Sequence, residues 1–254
     1  MPSINDLASN AGFVFEAEVE NVGGSAAPEY ATSGPTAVVR ITKILKSSST
    51  LAGYEGQQVT VELQDPVNLA AGQSAVFFTD GVHYGVRLVV RELGNLPSQP
   101  ELPSLVARAL QAAEDDALAQ RIRQADLIIS GLALPPAPYP GVAGPAAAGV
   151  APSVAGFRPI SEHDPMWSQA AIKVDSVEKG VYTGANIAFL FASSMDIAWY
   201  RAPKVKEGDR GVWLLHNRDV RGKAVPALAI VHPLDFQPME ELERVRKLLR
   251  PPRQ

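Results

Sequence analysis

A chain of 254 residues, 46% hydrophobic and 20% charged, has the length for two domains of roughly 100–150 residues, each with its own core. It has no cysteine, which excludes disulfides, thiolate metal sites and a Cys nucleophile, so stability must come from packing. The net charge of −4 divides unevenly: residues 1–125 hold 8 Lys/Arg against 14 Asp/Glu and residues 126–254 hold 15 against 13, so neither half has the basic excess that neutralises a phosphate backbone.

Residues 1–19 show no basic region followed by an apolar run of secretory length, and no apolar segment approaches the roughly 18 residues of a membrane span. The expectation is a cytoplasmic protein without a membrane span, or a secreted one if Met1 marks a trimmed chain. Alternating apolar residues bounded by turn residues then predict strands at 12–21, 36–46, 57–63, 74–79 and 85–92. A helix follows over 101–124, where Leu105, Val106, Ala109, Leu110 and Ala113 recur at helical spacing, with Leu118 and Ile122 further on and Pro103 in the first turn.

Strands resume at 127–134, 169–178, 186–191, 211–216 and 224–232. Of the 24 residues from 135 to 158, 17 are Ala, Gly or Pro, too few large apolar groups to offset the entropy of ordering them in a core, so an exposed, mobile loop is expected over 135–160. A helix over 237–254 ends the chain, with Met239, Leu242, Val245, Leu248 and Leu249 on one side. Glu240 with Arg244 and Glu243 with Lys247 support it, and Pro251 stops it.

The two sets of strands repeat one another. Phe13 and Phe15 align with Leu127 and Ile129 at an offset of 114. Val39, Ile41, Ile44 and Lys46 align with Ile172, Val174, Val177 and Lys179 at 133, and Val76, Phe77 and Phe78 with Val212, Trp213 and Leu214 at 136. Collinear matches at drifting offsets indicate a duplication with insertions, and nearly all of the drift falls between the first and second strands. Five short strands per copy with no helix between them predict a mainly β protein of two tandem Greek-key barrels, each followed by a helix. The corresponding division is a first barrel over 1–100, a connecting helix over 101–124, a second barrel over 125–236 and a terminal helix over 237–254.

With this layout the chain resembles tandem OB-fold-like barrels, and its framework pattern is similar to that of netrin and TIMP-like domains. The residues that carry the likeness are Val39, Ile41, Ile44, Lys46, Gly72, Val76 and Phe77, then Ile172, Val174, Val177, Lys179, Gly208, Val212 and Trp213. TIMP-like inhibitors chelate a protease zinc through an N-terminal cysteine and a disulfide-tied edge; this chain has no cysteine, so the resemblance implies the fold and not that activity.

Chemical motifs are sparse. There is no G-x-S-x-G elbow, no phosphate-binding glycine loop, no G-x-G-x-x-G and no His-Glu helix pair. Of the four histidines His83, His163, His216 and His232, His163 beside Asp164 and His216 near Asp219 offer a metal-dependent hydrolase reading that needs further converging ligands. The bland alternative is turn chemistry, which is favoured, and no catalytic residue, metal or cofactor is assigned. The densest cluster is Trp199, Tyr200, Arg201, Lys204, Lys206 and Arg210 in the second copy. Trp, Tyr and Arg are the residues of protein-interface hot spots, whereas Asp196, Glu207 and Asp209 dilute the positive charge a nucleic acid would need. The leading expectation is a non-enzymatic module that contacts a protein partner or assembles with itself, and the alternative is single-stranded nucleic-acid binding through the second barrel.

Overall fold

The computed structural model describes residues 2–27, 34–64, 69–83, 87–138, 163–219 and 227–250. The chain forms two compact units, Met1–Asp116 and Ala117–Gln254. In chain order the elements are α1 (Ile4–Asn10), β1 (Phe13–Val22), β2 (Thr36–Lys46), β3 (Gln58–Glu62), β4 (Ser74–His83), β5 (Val89–Pro97) and α2 (Leu102–Gln124). They continue with β6 (Leu127–Ala133), β7 (Ala137–Pro138), β8 (Trp167–Lys179), β9 (Asn186–Ala192), β10 (Arg210–Arg218), β11 (Ala227–Ile230), β12 (Phe236–Pro238) and α3 (Leu242–Leu249). Among the described residues no helix is long and apolar enough to cross a membrane.

Each unit is a closed five-stranded barrel. In the first, the strands follow the order β1-β2-β3-β5-β4 and β4 pairs back on β1; in the second the order is β6-β8-β9-β11-β10, with β10 paired back on β6. The two orders are the same. All neighbours are antiparallel except the third and fifth strands, which run parallel in both units. Even the irregularities repeat: β1 shifts register against β2 at Val14/Phe15 and Glu16/Ala17, and β6 against β8 at Ile128/Ile129 and Ser130/Gly131, the same positions at an offset of 114. Such bulges bend and twist a strand, which a barrel of only five strands requires. At the second bulge the backbone of β8 comes so close that a Cβ on Gly131 would lie 2.3 Å from the Lys173 carbonyl oxygen.

Alternation along the strands assigns the two faces. Phe13, Phe15, Val39, Ile41, Val59, Val61, Phe77 and Val90 fill the first interior, and Leu127, Ile129, Ile172, Ile187, Phe189, Trp213, Leu215 and Ile230 the second. Phe77 and Trp213, aligned in sequence, sit among aromatic neighbours: Phe77 is 5.6 Å from Phe15, and Trp213 is 5.6 Å from Phe189 and 4.4 Å from Phe236. The outward residues between them are buried too. Val14, Val76 and Phe78 pack under Leu7, Ala8 and Ala11 of the N-terminal segment and under Leu102, Val106, Ala109 and Leu110 of α2. In the second unit Ile128, Val212 and Leu214 pack under Leu118, Ile122 and Ala125 and under Val245 and Leu242 of α3.

The repeat is therefore helix, five strands, helix. α1, absent from the sequence reading, takes the place before β1 that the second half of α2 takes before β6. Its signal was present: Ser3 caps the helix by accepting from the Asp6 amide at 3.1 Å while its own amide donates to Asp6 Oδ2 at 3.0 Å, a reciprocal box. These bonds from Ser3 hold the Asp6 carboxyl below the usual aspartate value. A lysine at the end of the second strand, aligned at 133, reaches back to this leading helix in both units. Lys46 Nζ donates to the Ala8 carbonyl at 3.2 Å, and Lys179 Nζ donates to the carbonyls of Ile122, Arg123 and Ala125 at 2.9, 2.9 and 2.6 Å, where a helix C-terminus leaves acceptors unpaired.

Several boundaries differ from the sequence reading; β4, expected at 74–79, runs on to His83. The fifth strand of the first copy, expected at 85–92, is observed at Val89–Pro97, with residues 85 and 86 outside the described ones. Its counterpart, expected at 224–232, is split into β11 and β12 by a 3-10 turn at Pro233–Asp235; residues 224–226 lie outside the described ones. The C-terminal helix begins with a 3-10 turn at Met239–Glu241 before α3, and Pro251 lies outside the described residues, as do residues 139–162 of the Ala/Gly/Pro segment.

Replacing Lys179 by Met removes the partner of three carbonyls, and replacing Lys46 the partner of one. Lys179→Met is expected to destabilise its unit by about 1–3 kcal/mol and Lys46→Met its own by less, measured by urea denaturation. Equal effects would show that the aligned lysines do not act through the helix carbonyls.

Candidate functional site

The cluster singled out in sequence lies between β9 and β10. Most of the net drift between the copies lies before the second strand, but this connection is a further point of divergence, which the shorter link between the second and third strands of the second copy partly offsets. Interior pairing aligns Val59 with Ile187, and Gly72 aligns with Gly208; Val59 and Gly72 are 13 residues apart and Ile187 and Gly208 are 21 apart, so the second copy carries eight extra residues here. The far end of the connection is unchanged between the copies. Gly72 and Gly208 both adopt left-handed backbone, at φ 81° and 86°. Gln73 accepts from the Ala70 amide at 3.1 Å as Asp209 Oδ2 accepts from the Lys206 amide at 2.7 Å. The insertion thus lies in residues 193–205.

It folds on itself. The amides of Trp199 and Tyr200 both donate to the Asp196 carbonyl at 2.8 Å, and the Ala202 amide donates to the Trp199 carbonyl at 2.9 Å. Asp196 Oδ1 accepts from the Ala198 amide at 2.8 Å and meets His163 Nδ1 at 2.9 Å. The Ala198 bond first, then His163, holds the Asp196 carboxyl below the usual aspartate range. Segment 163–166, entering β8, is tied to this loop: the Ser194 amide donates to the Pro165 carbonyl at 3.1 Å, and Trp199 Nε1 donates to the His163 carbonyl at 2.8 Å. Beneath the loop Lys204 Nζ donates to the carbonyls of Ala192, Ser194 and Trp199 at 2.7, 2.7 and 2.9 Å, and Val205 enters the barrel core. Desolvation lowers the pKa of Lys204 from its ordinary value.

The six sequence-selected residues therefore differ in role. Lys204 uses all three of its N–H bonds to hold the loop together. Arg210 is paired with Asp175 at 2.8 Å on the barrel wall. Trp199 is half-buried, with its ring 6.1 Å from that of Trp167. Tyr200 is 47% exposed, Arg201 is stacked 5.6 Å over its ring, and Lys206 is exposed. Sequence reasoning missed the apolar members. Met166 is 60%, Met195 74% and Ile197 78% exposed, so the two joined segments carry four of the six large apolar side chains that stand exposed among the described residues; Leu105 and Val181 lie elsewhere. Their signal was a run of Met, Ile, Trp and Tyr in a connection with no strand alternation to bury them.

The histidines of the hydrolase reading do not share a neighbourhood. His163 faces Asp196, whereas His216 is buried beside Arg121 and Asp235, and Asp219 is exposed at the end of β10. Among the described residues no three His, Cys, Asp or Glu side chains converge as a metal-ion cluster. No protein-family model matches the chain, and no curated protein matches it.

If Lys204 holds the loop, Lys204→Met leaves three carbonyls without their donor. The expected result is a red shift of tryptophan fluorescence as Trp199 and Trp167 gain water, and a loss of about 1–3 kcal/mol of local stability read by hydrogen exchange over 193–203. An unchanged spectrum and unchanged exchange would show that the loop stands without the lysine.

Proposed function

We propose that this protein is a binding module with no chemistry of its own, which contacts a protein partner through the end of the second barrel built from segments 163–166 and 193–201. The observation that carries this reading is the concentration of Met166, Met195, Ile197 and Tyr200 on two segments whose polar groups bond to one another. Contiguous exposed apolar surface rimmed by polar groups marks interaction sites, whereas single exposed apolar residues do not. Met adapts to irregular partners, and Tyr with a stacked Arg supplies an amphipathic anchor.

Charge argues against the nucleic-acid alternative. Of the four cations in the cluster, Lys204 is engaged with carbonyls and Arg210 with Asp175, which leaves Arg201 and Lys206 for a phosphate backbone.

A photo-reactive amino acid placed at Ile197, and separately at Val181 as an exposed apolar control at 93%, tests the surface in cells. A partner cross-linked from 197 and not from 181, and lost with Met195→Ser and Tyr200→Ala, is the expected result. A cross-link to a second copy of the chain makes the partner self, and the same products from both positions would overturn the assignment.

A further inference from the structure

The two barrels fill one equivalent place with opposite chemistry. Val76 pairs with Leu96 and Phe78 with Gly94, while Val212 pairs with Gln237, which puts Asp235 at the position of Gly94. In the first unit that position is apolar: Leu7, from the leading helix, lies so close that a Cβ on Gly94 would come within 3.0 Å of its side chain. In the second unit the residue aligned with Leu7 at 114 is Arg121, and it lies on Asp235. Arg121 Nε and Nη2 donate to Asp235 Oδ1 at 2.9 and 2.5 Å, with the carboxylate fully buried. A buried ion pair is no stronger a fastening than the apolar contact it replaces, so the ionisable version calls for a role besides stability.

Two histidines complete it. His216 on β10 places Nε2 2.9 Å from Arg121 Nη2 and 3.1 Å from Asp235 Oδ1. The guanidinium only donates and the carboxylate only accepts, so a bare Nε2 bonds Arg121 and a protonated Nε2 bonds Asp235. His232, on the surface at the start of the Pro233–Asp235 turn, accepts the Leu234 amide on Nδ1 at 3.2 Å; its own amide and that of Val231 donate to Asp235 Oδ2 at 2.8 and 2.9 Å. Protonation of Nδ1 sets one N–H against another and opens that cap. The other polar partner of the group is Gln124, whose side-chain oxygen accepts from Arg121 Nη1 at 3.2 Å.

We propose that the second unit carries a proton-operated latch. On acidification His232 takes a proton on Nδ1 and releases the turn, and the C-terminal turns of α2 and the Pro233–Asp235 turn loosen from each other while the barrel stays closed. The first unit, with Leu7 and Gly94, has no such response.

The pH window follows from sign. Desolvation against the turn, and then the charge of Arg121, hold the His232 imidazole below its ordinary value. Its contribution is therefore complete above the ordinary histidine pKa of about 6.5 and is lost as pH falls below it. Burial pushes Asp235 up, but bonds from His216, the Val231 and His232 amides and Arg121 outweigh it and leave its pKa below the usual aspartate value, so the carboxylate stays charged until pH falls below about 3.8. Between these limits His232 carries the response.

Hydrogen exchange on the full chain at pH 7.5 and 5.5, corrected for intrinsic rates, tests this. Residues 118–124 and 231–237 are expected to exchange several-fold faster at the lower pH, while 4–11 and 93–97 keep their rates. The surface substitution His232→Gln is expected to abolish the change. A change that survives His232→Gln, equal changes in both units, or none in the second would overturn the latch.

Discussion

The first and fourth strands of each barrel are buried on both faces, and the rest of the architecture answers to that constraint. Phe13 and Phe15 point into the barrel, but Val14 between them is as fully buried on the outside, and the same holds for Phe77 between Val76 and Phe78. A closed barrel satisfies its own backbone and needs no further strand. What it cannot do is shield an apolar outer face, so each barrel needs a helix before its first strand and another after its fifth. In a tandem chain one helix meets two of these needs: residues 102–110 of α2 cover the first barrel and residues 118–122 the second. The low overall amphipathicity of α2, with apolar residues clustered towards its two ends, fits a helix that serves two cores in succession.

Duplication then becomes an internal control. Positions shared by both copies report what the barrel demands: the bulges at Val14/Phe15 and Ile128/Ile129, the left-handed glycines 72 and 208, the lysines that cap the leading helix. Positions that differ are released from that demand. Two departures stand out in the second unit, the eight added residues before Gly208 and the exchange of Leu7 and Gly94 for Arg121 and Asp235. Neither is needed to close a barrel, because the first unit closes without them.

Much of the framework was legible in the sequence because period-two alternation reports burial directly. The aligned interior positions Val39 with Ile172, and Phe77 with Trp213, occupy the same sites in space. Two features were lost for identifiable reasons. α1 is only seven residues long, too short for an apolar period, and its evidence lay in the Ser3 and Asp6 cap. The split of the last strand by Pro233 put His232 and Asp235 at a turn that pattern reading had merged into one strand. Within the candidate cluster the fold changes the reading of Lys204: residue type marks a lysine as a surface charge, and only the fold shows three carbonyls converging on it.

That lysine also bears on why the apolar residues stand outside. A connection of this length must find partners for its backbone carbonyls, and the usual solution is water, which brings polar side chains with it. Here Lys204 from below takes three of the carbonyls and the Asp196 turn takes three of the amides, so those groups need no outward side chain. Met195 and Ile197 add nothing to the barrel core, and exposing them to water forgoes about 25 cal/mol for every Å² that burial would remove. A loop tied together in this way and faced with Met, Ile and Tyr loses least when that face is covered, which accords with the proposed partner surface.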